Sequence, residues 1–224
     1  MCADATSAGL FPSMGADAQL PSTGYAYLRI ADQELRQEIA KWCDEAVEDG
    51  LLAPPGPPGS EEFESRTRAD EMHVTIATGI APAALEAIQA LVDQHCPFEL
   101  QLERMQIDQN EENGDLVISI GVALVPALAA LRRALADVDG VSCGDTDTWH
   151  PCVVAARVRN ATDPAEKSDL IDELRNNVER NKRIFFQRSW EAAQLVIVMP
   201  PDAMSSGVQP QVTVFELTYK AGGI

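Results

Sequence analysis

The sequence predicts an α+β fold of two pseudo-symmetric lobes, each an antiparallel sheet with flanking helices, and an active-site cleft between them. Two observations carry this. Short β-branched runs and amphipathic segments of helical period follow one another along most of the 224 residues. An order of strand, helix and hairpin also occurs twice, opening on His73-Val74-Thr75 in the first half and on His150-Pro151-Cys152 in the second. Beyond these motifs the halves share little sequence, so the repeat is one of architecture.

Residues 1–23 are rich in Ala, Ser, Gly and Pro without periodicity and read as a flexible tail; 24–224 read as one domain. Tyr25 to Ile30 is a short β-rich run, followed by an amphipathic helix over Asp32–Glu48 with Asp32 as its N-cap. Leu51–Asp70 contains two Pro-Pro pairs, which exclude helix or central strand and predict an exposed loop. A strand over Met72–Ala77 leads to a helix over Pro82–His95, with Pro82 suited to its first turn. His95, just before Cys96-Pro97, reads as a C-terminal cap of that helix.

Phe98–Ile107 and Leu116–Val122 flank an Asn/Glu/Gly turn and predict an antiparallel hairpin, followed by a helix over Pro126–Ala136. The order then recurs: a strand over Pro151–Val158, a helix over Pro164–Asn181, and a second hairpin from Ile184–Ser189 and Gln194–Met199. A last strand, Gln211–Thr218, alternates Thr213, Phe215 and Leu217 with Val212, Val214 and Glu216 and suits either sheet.

With 46% hydrophobic and 23% charged residues the chain is of globular type. Lys and Arg number 17 against 35 Asp and Glu, a formal charge of -18 that opposes capture of duplex DNA while leaving room for a small phosphate ligand. No apolar run is long enough to span a bilayer and the N-terminus lacks a leader pattern, so the reading is cytoplasmic, with no membrane partner. Cys2, Cys43, Cys96, Cys143 and Cys152 are spread without a CxxC pair and read as reduced thiols. No motif specifies an oligomeric state.

The chemistry lies in the histidine motifs. Alternation in a strand puts His73 and Thr75 on one side, about 6.6 Å apart at a rise of ~3.3 Å per residue. An imidazole then reaches a bridging oxygen of a phosphate while the hydroxyl donates to a non-bridging oxygen. His150 and Cys152 repeat the spacing. Two histidines across a cleft divide the labour of phosphodiester cleavage, one taking the proton of the attacking oxygen and the other protonating the leaving oxygen. The chain has only 3 histidines, and two of them head strands at matching places.

The paired motifs resemble the signature of the 2H phosphoesterase superfamily, two His-x-Thr/Ser-x motifs in a bilobal α+β fold, over residues 25–218. The resemblance implies a metal-independent, cofactor-free hydrolase of the cyclic nucleotide phosphodiesterase or RNA phosphoesterase kind. Its bonds would be 2′,3′-cyclic phosphates or 2′,5′-phosphodiesters of nucleotides or short RNA ends. His73 and His150 become the acid/base pair and Thr75 a phosphate donor, with Cys152 in the second phosphate-binding position. Tyr25, Tyr27 and Arg29 share one face of the first strand, and the family implies an aromatic there, Tyr27 or Tyr25, that stacks on a base. Arg66 and Arg68 lie in the loop before His73, placed to close over a phosphate.

The departure from the pattern is Cys152, a weak donor where the family has a hydroxyl. It opens a second reading, a nucleotide- or phosphate-binding protein with a degenerate site. A third is a zinc hydrolase using His73, His150 and Cys152. A thiol nucleophile with His150 as its base is disfavoured, since residues two apart in a strand project side by side rather than meeting in a ~3 Å hydrogen bond. Trp149 points to the opposite side from His150 and reads as packing.

Overall fold

The computed structural model describes residues 23–52, 72–109, 116–144, 149–158, 163–200 and 210–218. They form an α+β fold of one curled, antiparallel, eight-stranded sheet and four α-helices. Strand β1 (Gly24–Arg29) leads into α1 (Gln33–Glu48), whose first turn is capped as expected: the Leu35 N–H donates to Asp32 Oδ1 at 3.0 Å. Strand β2 (His73–Ile80) runs three residues further than the alternation suggested. The helix expected over Pro82–His95 starts as a 3-10 turn, Pro82–Ala84, and continues as α2 (Leu85–Val92). The His95 backbone N–H donates to Val92 O at 2.9 Å, so the cap it supplies comes from the main chain. Burial lowers the pKa of its imidazole, the reverse of what a charged histidine on a helix dipole would show.

The first hairpin forms as predicted, from β3 (Phe98–Gln109) and β4 (Leu116–Val122), and α3 (Pro126–Ala136) follows. β5 (Cys152–Arg157) then leads to α4 (Pro164–Phe185), capped by Asp163 through the Ala165 N–H at 2.8 Å.

The second hairpin does not form. Residues 184–185 end α4, with Phe185 fully buried, and β6 (Ser189–Ala192) and β7 (Gln194–Met199) are separated by Ala193 alone. One residue is too few to reverse the chain, since the tightest hairpins need about two. The two strands therefore pair with different neighbours, β6 with β3, and β7 with β1 and with β8 (Gln211–Glu216). The resulting order is β6-β3-β4-β5-β2-β1-β7-β8. Because β6 and β7 are chain neighbours at opposite parts of this order, the sheet has to curl. The two sheets expected from the sequence are joined into one at a seam, where β2 meets β5 through the Val74–Val153 pair.

One face of the sheet carries Leu28, Val74, Ile76, Ile120, Val153, Ala155 and Ile197, all buried, in a core with the helices. Trp42 Nε1 of α1 donates to Asn177 Oδ1 of α4 at 3.0 Å, and the Cys43 thiol points at Ala155 O, tying both helices over β5. The other face carries the side chains of both histidine motifs. Among the described residues no helix is long and apolar enough to cross a membrane.

Candidate active site

Period-2 burial decides which side chains share the face opposite the core. On β1, Gly24, Ala26 and Leu28 are buried while Tyr25 and Arg29 are exposed and Tyr27 is half-buried. On β2, Val74 and Ile76 are buried while His73 and Thr75 are half-buried. From Trp149 to Val153 the pattern alternates as well: Trp149, Pro151 and Val153 buried, His150 exposed, Cys152 half-buried. All the motif side chains thus lie on one side of the sheet. Trp149 packs against the core as expected, with the Arg132 guanidinium 4.2 Å from its ring centroid.

The register adds the geometry. Val74 and Val153 are Cα partners in an antiparallel pair. Continuing by one residue, Thr75 stands opposite Cys152, and the histidines lie two residues away in opposite directions, His73 about 6.6 Å along β2 and His150 just before β5 begins. The ladder extends to the residue before Cys152, because the Val122 N–H donates to Pro151 O at 2.8 Å. The two motifs run antiparallel with Thr75 and Cys152 at the centre and the histidines at the ends.

His73 is embedded in aromatic rings. Its centroid is 4.3 Å from that of Tyr27 and 6.3 Å from that of Tyr25, and the two tyrosines are 5.9 Å apart. Tyr27 is the Cα partner of Thr75, and Arg29 that of His73, so β1 forms a wall along the first motif. His150 lies just before β5, and earlier in the chain residues 141–144 are bridged to β2 through Thr78 and Ser142. Gly79, at a φ of +66°, permits this approach: a Cβ there would lie 2.9 Å from that of Ser142. Arg66 and Arg68 lie outside the described residues.

Cys152 differs from a phosphate donor in its surroundings as well as its chemistry. Burial, reinforced by the Asp108 carboxylate, pushes its thiol up to about 11, against a weaker opposing effect of a hydrogen bond with Ser119. It is held protonated at neutral pH, which suits neither a nucleophile nor a thiolate ligand. Among the described residues no three His, Cys, Asp or Glu side chains converge to hold a metal ion, so His73, His150 and Cys152 do not form the zinc set considered from the sequence.

Three residues at the site were missed by sequence reasoning. Ser119 is fully buried in the otherwise apolar β4, and its hydroxyl donates to Asp108 Oδ2 at 2.6 Å. Arg132, on the apolar face of α3 between Leu128 and Leu135, donates to Ile76 O beside the first motif and to Cys143 O, while lying on Trp149 beside the second. A polar residue within an apolar stripe was the available signal for Ser119 and Arg132. Asp108 had none.

No protein-family model matches the chain, and no curated protein matches it. Solved structures do. A phosphoesterase superposes with a TM-score of 0.50 at 16% identity, over 89% of this chain and 100% of that one. Usb1 of Kluyveromyces marxianus, solved with uridine monophosphate, gives 0.52 at 15% identity over 88% and 99%. E. coli LigT in its apo form gives 0.50 at 13% over 89% and 99%. At these identities the likeness is one of fold. The chain shares the fold of these proteins over nearly their whole length.

Proposed function

We infer that the protein is a phosphoesterase of the 2H type, opening 2′,3′-cyclic phosphates or 2′,5′-phosphodiesters of nucleotides or short RNA ends by acid–base catalysis from His73 and His150. The observation that carries the reading is the antiparallel placement of the motifs, with Thr75 opposite Cys152 and an imidazole on each side of them on one face. The fold shared with a phosphoesterase, and with Usb1 solved with uridine monophosphate, supports it.

A phosphate seated over Thr75 accepts its hydroxyl proton on a non-bridging oxygen. One imidazole removes a proton from water, whose oxygen bonds to phosphorus. The bond from phosphorus to the ribose oxygen breaks, and the other imidazole, protonated, delivers its proton to that oxygen. The histidines exchange protonation states, and proton exchange with solvent restores them. Tyr27 and Tyr25 offer a surface for a base beside His73. In this reading the two lobes are the four strands on each side of the β2–β5 seam.

The test is hydrolysis of a 2′,3′-cyclic nucleotide and a 2′,5′-dinucleotide, each with and without EDTA. Activity lost in His73→Ala and in His150→Ala, and unchanged by EDTA, is the expected result. Binding without turnover across both substrates would favour the phosphate-binding alternative, for which the thiol at Cys152 is the supporting observation.

A further inference from the structure

We propose that Asp108 is a specificity-determining residue that makes the Cys152 half of the site favour a singly charged phosphodiester over a doubly charged phosphate monoester. The inference rests on the phosphoesterase reading of the face and names the charge class of its ligand.

Three strands assemble the array. On β4, Ser119 is the Cα partner of Gln106 on β3 and of Val154 on β5, while Val117 is the partner of Asp108 and Gly121 that of Cys152. Alternation from these pairs puts Gln106, Asp108, Ser119 and Cys152 on the face that bears the motifs, with Asp108, Ser119 and Cys152 along one diagonal. The contacts follow that diagonal. Ser119 donates to Asp108 Oδ2 at 2.6 Å, and Gln106 Nε2 donates to the same oxygen at 3.4 Å.

Proton counting gives the array a direction. A serine hydroxyl has one hydrogen, and here it is directed at the carboxylate, so toward Cys152 Ser119 offers only lone pairs. The partners of Asp108 among the described residues, Ser119 and Gln106, are both uncharged, and hydrogen bonds from neutral groups leave its negative charge in place.

That charge lies on the diagonal that ends at Cys152, the residue opposite Thr75, and acts on its thiol. Its repulsion of a bound phosphate scales with the charge of the phosphate. A cyclic phosphate or internal diester carries one negative charge at pH 8, and a terminal monoester, with its second pKa near ~6, carries about two. The carboxylate thus penalises the monoester twice as heavily. Ring opening turns the first species into the second, so the same residue that tolerates substrate promotes departure of product.

The experiment measures affinity by calorimetry at pH 8 for a nucleoside 2′,3′-cyclic phosphate and for the matching 3′-monophosphate. The proteins are the wild type, Asp108→Asn, which keeps an acceptor for Ser119, and Asp108→Glu, which keeps the charge. Histidine-inactivated versions serve where the cyclic ligand is turned over. Asp108→Asn is expected to tighten the monophosphate on the order of tenfold and the cyclic phosphate by roughly threefold. Asp108→Glu should retain the wild-type preference. Equal changes for the two ligands, or none, would overturn the proposal. Turnover is recorded in parallel. Selectivity that responds to charge in a protein without turnover leaves the proposal standing and removes the hydrolase, whereas turnover with unchanged selectivity does the reverse. Failure of either ligand to bind any of the proteins overturns both.

Discussion

The Tyr27 ring stands 4.3 Å from the His73 imidazole, centroid to centroid, at an interplanar angle of 36°. The two residues sit on adjacent strands, Tyr27 being the Cα partner of Thr75 two residues along from His73. A tyrosine in this position limits the swing of the imidazole, and ring pairs of this kind contribute about 0.5–1.5 kcal/mol. Tyr27→Ala is expected to lower kcat/KM for a cyclic nucleotide by roughly 3- to 10-fold at least, and Tyr27→Phe, which keeps the ring, by less than about threefold. An alanine variant as active as wild type would show that the contact does not orient His73.

The division of labour between His73 and His150 requires one neutral and one protonated imidazole, so kcat/KM should rise and then fall with pH. Removal of either acid–base group typically costs about 100- to 10,000-fold. A profile flat from pH 5 to 9 in the wild type would exclude the pair.

The raised pKa of Cys152 has a direct chemical readout. A thiol moved from 9.0 to about 11 has at pH 8 a thiolate fraction about 100-fold below that of an unperturbed cysteine. Site-resolved alkylation with iodoacetamide should therefore label exposed Cys96 well before Cys152. The sign for stability follows from the same shift. The unfolded thiol ionises first, so the contribution of this group is fully present below pH 9 and is lost as pH rises from 9 toward about 11. Cys152→Ala should flatten that part of the stability profile.

How much of this was legible in the sequence depends on the range of the interaction. The N-cap at Asp32 and the shared face of His73 and Thr75 follow from spacings of a few residues, and these the periodicity carries. Which strand pairs with which is set by distant contacts. The 184–199 segment has the apolar content of a hairpin, but burial of Phe185 extends α4 and the single residue Ala193 forbids the turn. The Asp108, Ser119 and Cys152 array is illegible for the same reason: it exists only once β3, β4 and β5 are aligned in register.

Arg132 joins the two half-sites from behind the sheet. Its guanidinium donates to Ile76 O next to Thr75 and lies 4.2 Å from the ring of Trp149 next to His150. Arg132→Met would leave the carbonyls of Ile76 and Cys143 without these buried donors and is expected to cost about 2–4 kcal/mol, read as a lower urea midpoint. Arg132→Lys should recover only part of this, since an ammonium lacks the planar fork that serves both carbonyls while stacking on an indole. A variant as stable as wild type would mean that those carbonyls find other donors.

The array also changes what repair of the second motif should achieve. Cys152→Thr replaces a weak donor by a hydroxyl, and loss of one donor to a transition-state oxyanion typically costs about 100-fold or more. Ser119, however, stands diagonal to position 152 across β4 and β5 and, with its own hydrogen given to Asp108, offers only an acceptor there. A threonine hydroxyl has one hydrogen, and while Ser119 takes it none reaches the phosphate. The single variant is therefore expected to gain no more than about threefold in kcat/KM, whereas Cys152→Thr combined with Ser119→Ala, which frees that hydrogen, should gain on the order of 100-fold. Ser119→Ala alone leaves only the thiol and should gain little. The double-mutant cycle isolates the interaction. Strict additivity would show that Ser119 does not hold the donor, and a full gain in the Cys152→Thr single variant would show that the hydroxyl reaches phosphate despite it.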